Sequence, residues 1–289
     1  MDKFLISVDS SCDCSIEELK ENNVSVILFS YTDGKDSYFD TLKKEDYQQF
    51  YEDMQNGICY KTSQIPTDRY LDYFESLLEK NKKIIHISLC IGLSNTIEHA
   101  REAAKIIMKK HPGSDIKIVD SHIASLGLTL LVKDAIILRD QNSSLDDAYK
   151  FLCEKAKHVN TFYTTNTLTY FVRGGRLSKI GGFIGSILKI NPVLSCEPRG
   201  ELKIVEKARG RKQAINYITK KVAETVIYPE KQVLHVCNAI NEEGAKELAE
   251  HLKKTIGFKD YVIYPMGTTI GAHAGPGLLA VFYYGKERS

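Results

Sequence analysis

A chain of 289 residues, 43% hydrophobic and 26% charged, has globular composition and is long enough for two ordinary domains or one large one. Its formal net charge of +2 is too small to argue for nucleic acid, and no apolar run approaches the length that crosses a bilayer. The seven cysteines, Cys12, Cys14, Cys59, Cys90, Cys153, Cys196 and Cys237, are odd in number and widely spread, which suits reduced thiols rather than a secreted disulfide framework. Cys12 and Cys14 lack the second pair or spaced histidines that a tetrahedral metal requires, so no metal is expected. Met1-Asp2-Lys3 leads directly into the first strand and leaves no room for a signal peptide, and a cytoplasmic location is expected.

Residues 4–8 read as a short apolar strand ending in Asp9-Ser10-Ser11. That is the position where open α/β sheets keep ligands, and equally the composition of an ordinary turn. Ser15 and Glu18 have capping-box spacing for a helix over 15–22, and 24–29 is the next strand. Asp33-Gly34 is a hairpin signal within 31–40. Tyr47, Phe50, Tyr51 and Met54 share one face of a helix over 46–54. Thr62-Ser63-Gln64-Ile65-Pro66 reads as a polar loop ahead of a helix over 67–78.

The stretch 82–104 organises the chain. Ile84, Ile85, His86, Ile87, Ser88 and Leu89 have the short, β-branched character of a strand covered on both faces. Ser94-Asn95-Thr96 then supplies an N-cap for a helix, whose first turn presents unpaired N–H groups to a small anion. A further strand, 116–119, ends in Asp120-Ser121-His122 and is followed by helices over 124–139 and 145–156. Strand, polar turn and helix recur three times, which predicts a parallel, Rossmann-like α/β domain over 1–157.

The remainder, 158–289, predicts a smaller α/β domain. A strand over 161–165 and a short helix at 168–171 precede Arg173-Gly174-Gly175-Arg176-Leu177-Ser178. Gly181, Gly182 and Gly185 then alternate with Phe183, Ile184 and Leu188, apolar residues suited to lining a pocket. Neither a P-loop nor G-x-G-x-x-G is present. Segments 191–194 and 202–205 flank a turn at 197–200. Lys207, Arg209, Arg211 and Lys212 precede a helix over 213–225, a cluster suited to an acidic partner or phosphate and also to plain solvation. A strand-helix-strand unit covers 233–266, and Ile270–Gly277 reads as a glycine-freed loop carrying His273 ahead of a last strand over 278–284.

Asp9-Ser10-Ser11, Thr62-Ser63-Gln64-x-Pro66, Leu93-Ser94-x-Thr96, Val119-Asp120-Ser121, Gly174-Gly175-Arg176-Leu177-Ser178 and Ile270-Gly271-x-His273-x-Gly275-Pro276-Gly277 together resemble the DegV family. They stand in the family's order and span nearly the whole chain. The resemblance implies a fatty-acid-binding carrier with no turnover and no cofactor of its own, its long-chain ligand held between the two domains. It also implies a partner, an ATP-dependent fatty acid kinase that phosphorylates the ligand carboxylate for phospholipid synthesis, and leaves room for transient contact with a membrane surface. By the same resemblance Thr62, Ser94, the Asn95 N–H and His273 hold the carboxylate. Arg176 attends the head group, and Arg173, Arg209 and Arg211 face the kinase. Phe183, Ile184, Leu188 and Leu279 are the candidates for the acyl pocket. The chain departs from the family's usual pattern at Asn95, where glycine is common, and at Asn191, where lysine is usual.

Burying an acyl chain supplies about 0.8 kcal/mol per methylene, so roughly fourteen methylenes supply on the order of 11 kcal/mol before association costs. The head-group contacts then need only satisfy and orient the carboxylate. The competing reading is an acyl hydrolase with Ser94 as nucleophile and His273 as base, oriented by Asp9 or Asp120. It lacks the second glycine of G-x-S-x-G.

Overall fold

The computed structural model describes residues 3–177 and 190–288. In chain order the strands are β1 (Leu5–Asp9), β2 (Val24–Ile27), β3 (Ser30–Thr32), β4 (Ser37–Phe39), β5 (Lys61–Ser63), β6 (Lys83–Ser88), β7 (Asp115–Asp120), β8 (Val159–Thr164), β9 (Asn191–Cys196), β10 (Leu202–Ala208), β11 (Val233–Asn238), β12 (Asp260–Pro265) and β13 (Leu279–Tyr284). The helices are α1 (Ile16–Glu21), α2 (Glu45–Gln55), α3 (Thr67–Leu78), α4 (Thr96–Lys110), α5 (Leu126–Asp140), α6 (Leu145–Ala156), α7 (Thr169–Arg173), α8 (Arg211–Thr225), α9 (Glu242–Ile256) and α10 (Thr268–Ala274).

Among the described residues, β2-β1-β6-β7 form a four-stranded sheet that is parallel throughout. Every residue of β6 after Lys83 is buried, as a strand covered on both faces requires. Helices α3 and α4 supply the cluster on one face, and α5 and α6 lie on the other. A six-stranded mixed sheet, β10-β9-β8-β13-β11-β12, carries α8 and α9 on one face. A small antiparallel sheet, β4-β3-β5, contains the hairpin that Asp33-Gly34 signals.

Helix α5 joins the two larger sheets. Its first two turns, Leu126 through Val132, are buried on every side, whereas the second half carries Lys133, Asp134, Arg139 and Asp140. A helix with such a first half must be covered all round there. It touches β1 and β6 of the parallel sheet and β8, β11 and β13 of the mixed one. One core therefore runs from Ile6, Ile85 and Val119 through α5 to Tyr163, Leu194 and Phe282.

The start of α5 is fixed by a buried carboxyl. Ser125 precedes the helix with φ +59°, a conformation uncommon for a residue with a side chain. Its N–H donates to the Ser11 carbonyl at 2.9 Å, and its hydroxyl donates to Asp13 Oδ2 at 2.5 Å. Asp13 Oδ1 accepts the Gly267 N–H at 3.0 Å, so one side chain anchors the starts of both α5 and α10. Asp40 Oδ2 accepts the Thr269 N–H at 3.1 Å beside it.

Two segments differ from their sequence reading. Thr62 lies in β5, paired with Tyr31 of β3, and not in a loop, because the β3-β4 hairpin offers an edge that three polar residues cannot announce. The segment around His273 forms α10 rather than a glycine-freed loop. Gly271 is there for close packing, since a Cβ would fall 2.3 Å from the Tyr51 hydroxyl.

Burial, reinforced by the neighbouring Asp40, pushes the Asp13 carboxyl up to about 8, and burial pushes Asp9 up to about 6. An unfolded aspartate releases its proton near 4, so between these values the folded state holds more protons and stability falls as pH rises, by roughly 1.4 kcal/mol per pH unit for each such group. Asp13→Asn keeps an acceptor for Gly267 and can donate to Ser125. It is expected to flatten the slope of stability between pH 6.5 and 8, above the range where Asp9 titrates, and to raise Tm at pH 8. Denaturant melts across that range that show the wild-type slope in the variant would mean that Asp13 is already ionised in the fold.

Candidate functional site

Two elements, a turn and a connecting segment meet at a cavity of about 230 Å³, many times the space one water needs. β5 contributes Thr62, the turn after β6 contributes Ser94, the segment after α7 contributes Arg176, and α10 contributes His273. Much of the remaining wall is apolar, including Phe29, Leu89, Phe171, Met266, Leu278 and Phe282. A largely apolar surface with polar groups at defined positions is the usual composition of a small-molecule site.

Local chemistry explains each placement. The turn after β6 is drawn against the β9-β10 hairpin, with the Gly92 N–H donating to the Arg199 carbonyl at 3.2 Å. A Cβ on Gly92 would lie 2.6 Å from that backbone, so only glycine permits the approach. Ser94 follows, 8% exposed, and its Oγ accepts the Thr96 N–H at 3.3 Å. Thr96 Oγ1 in turn accepts the Ile65 N–H at 3.1 Å, which ties the Thr62 segment to the Ser94 turn. Thr62 Oγ1 and His273 Nε2 are hydrogen-bonded at 2.8 Å.

The electrostatics favour an anionic guest. Burial, with Arg176 nearby, pushes the His273 imidazole down to about 4, so at neutral pH it is an uncharged hydrogen-bonding group. Its Nδ1 is buried and has no partner among the described residues. Arg176 is half-buried, donates to the Gly174 carbonyl, and forms no ion pair with a carboxylate among the described residues. A partly desolvated guanidinium without a counter-charge is costly until an anion arrives.

The other sequence candidates are distributed differently. Asn95 is exposed and lies outside the cavity wall. Arg173 is exposed at the end of α7 and lines an adjoining cavity of about 250 Å³ that shares Thr62, Arg176 and His273 with the first. Arg209 and Arg211 stand at the start of α8, which covers the mixed sheet on its other face; Arg211 lies against Gly244 and 4.0 Å from Glu247. Phe183, Ile184 and Leu188 lie outside the described residues.

Leu279 requires correction as an acyl-pocket residue. It packs with Val281 and Tyr283 against α8 and α9, whereas Leu278, Ala280 and Phe282 line the cavity. Side chains alternate along a strand, so 278, 280 and 282 share one face and 279, 281 and 283 the other, and the uniformly apolar run gives no sign of which face is the cavity's. Asp9-Ser10-Ser11 also turns inward: Asp9 accepts the Ser11 and Leu89 N–H groups at 3.1 and 2.7 Å and clamps the ends of β1 and β6.

A family model described as "Uncharacterised protein, DegV family COG1307" matches residues 3–286. The chain belongs to the DegV family. A DegV domain-containing protein of Clostridium perfringens is 31% identical over 289 residues, covering 100% of this chain and 99% of the relative. A DegV lipid-binding protein of Thermotoga maritima has the same fold with a TM-score of 0.86 at 28% identity, each chain covered in full at 100%. A second T. maritima protein, reported to reveal a fatty acid binding function, superposes with a TM-score of 0.83 at 27% identity over 98% of this chain and 99% of the other. The Streptococcus pneumoniae fatty acid kinase (Fak) B3 protein, loaded with linoleic acid, shares the fold with a TM-score of 0.84 at 23% identity, over 98% and 99% of the two chains.

In this DegV protein the parts of a Ser-His hydrolase are not assembled. No hydrogen bond joins Ser94 to His273, whose Nε2 is engaged by Thr62. Asp9 is spent on the ends of β1 and β6, and Asp120 accepts the His122 N–H at 3.0 Å, so neither orients the imidazole.

Gly174 sets the position of His273. Its φ of −72° suits any residue, yet a Cβ there would fall 2.1 Å from His273 Nδ1. Gly174→Ala is expected to leave the fold intact, break the bond to Thr62 and expose the imidazole, moving its pKa from about 4 towards 6.5 in an NMR titration. An unchanged titration would show that the neighbours absorb the methyl group.

Proposed function

We propose that this DegV protein binds a long-chain fatty acid in the cavity, with the carboxylate at Thr62, Ser94, Arg176 and His273 and the chain along the apolar wall. The observation that carries the reading is a largely apolar cavity bordered by a guanidinium that forms no ion pair among the described residues and by a neutral imidazole. The halves 1–157 and 158–289 serve as the two walls, and burial of the chain supplies most of the affinity. The fatty acid binding reported for similar proteins supports the same assignment. The carrier performs no turnover and takes no cofactor.

A finer step follows from the adjoining cavity. Thr62, Arg176 and His273 border both cavities, and Lys61 and Arg173 line the second, so a carboxylate held there is open to a phosphoryl donor from that side. Presentation to a separate ATP-dependent fatty acid kinase in the cytoplasm, with the acyl phosphate passing to phospholipid synthesis, fits this arrangement. Arg173 is the residue to test as a contact with the kinase.

Organic extraction and mass spectrometry of the purified protein are expected to recover about one fatty acid per chain, and Ser94→Ala with His273→Ala to weaken binding by roughly tenfold or more through loss of bonds to a charged group. An empty wild type that hydrolyses acyl esters would replace the carrier with the hydrolase. With a fatty acid kinase and ATP, Arg173→Glu is expected to slow acyl phosphate formation at unchanged fatty acid affinity. An equal rate would remove Arg173 from the kinase contact.

A further inference from the structure

The cavity has a second group of polar side chains, on β8. Thr161 and Tyr163 occupy alternate positions of that strand and both line the cavity. They are 2% and 6% exposed, and neither hydroxyl has a hydrogen-bond partner among the described residues. On β13, Phe282 stands opposite Thr161 and Ala280 opposite Tyr163, and on β9 Leu194 stands opposite Tyr163. None of these side chains can accept a hydrogen bond. The thiols of Cys90 and Cys196 lie near Tyr163 without bonding to it. Of the other wall hydroxyls, Ser125 donates to Asp13, and Thr269 Oγ1 is likewise without a partner among the described residues but stands on α10, beside the Asp40 carboxyl that its own N–H engages.

Buried hydroxyls in folded proteins are nearly always matched by protein, water or ligand, because an unmatched one loses its hydration without return. A saturated chain laid along β8 would match neither. An oxygen on that chain matches both, since a carbonyl oxygen accepts from two donors and a hydroxyl both accepts and donates. We propose that the ligand is an oxygenated fatty acid whose hydroxy or oxo group, away from the carboxyl end, is recognised by Thr161 and Tyr163. This inference rests on the fatty acid reading and specifies its substrate class.

The test is equilibrium competition on the delipidated full chain between stearate and stearates bearing a hydroxy or oxo group at C9, C10 or C12. It is repeated with the Thr161→Val, Tyr163→Phe variant, which removes the hydroxyls with little change of shape. At least one oxygenated acid is expected to bind about tenfold or more tightly than stearate, and the variant to lose that preference while binding stearate at least as well. Wild-type protein that binds stearate as tightly as every oxygenated acid, or a preference that survives in the variant, overturns the proposal and leaves fatty acid binding standing. Failure of all these acids to bind overturns both.

Discussion

The structure depends on one constraint: the first half of α5, Leu126 to Val132, is buried on every side and must be covered on every side. A helix of ordinary amphipathicity would have packed on the parallel sheet and turned its polar face to water. Because Leu126, Leu128, Leu130, Leu131 and Val132 leave no such face, the mixed sheet closes over it and the two sheets share a core. The cavity lies where this closure brings together residues from both sheets, such as Leu89 and Ile123 from one side and Tyr163, Cys196 and Phe282 from the other.

The carboxyls around this closure act as ties and not as ligands. Asp9 clamps β1 to the turn after β6, Asp13 joins the starts of α5 and α10, and Asp40 holds the first turn of α10. Three acids buried without cations raise their own proton affinity, and hydrogen bonds from backbone and hydroxyl groups offset part of that cost. Their consequence reaches the site through α10: the helix that starts at Asp13 and Asp40 carries His273 in its last turn.

The site divides its labour between shape and charge. The apolar wall supplies affinity in proportion to the area it removes from water, and the Thr62, Ser94, Arg176 and His273 group fixes which end of a guest belongs where. A neutral imidazole suits that role, because it bonds a carboxylate without adding a second buried charge beside Arg176.

Most of the elements and their classes were legible in the sequence, β5 and α10 being the exceptions. The β-branched run of β6, the capping pair at Ser15 and Glu18, the Asp33-Gly34 turn and the recurring strand-turn-helix units follow from local propensity and period, and six short motifs in order pointed to the family. Thr62, Ser94, Arg176 and His273 were legible as candidates because each stands in one of those motifs. Only the tertiary structure decided that 268–274 is a helix, since the reason lies in Tyr51 and Phe50, more than two hundred residues away, against which Gly271 packs. It also decided that Leu278, Ala280 and Phe282, and not Leu279, face the cavity, because a strand's pattern gives two faces and only the neighbouring layers say which one is inside. Arg209 and Arg211, expected with Arg173 on one partner-facing surface, stand instead at the start of α8, after the β9-β10 hairpin and on the helix that covers the other face of the mixed sheet.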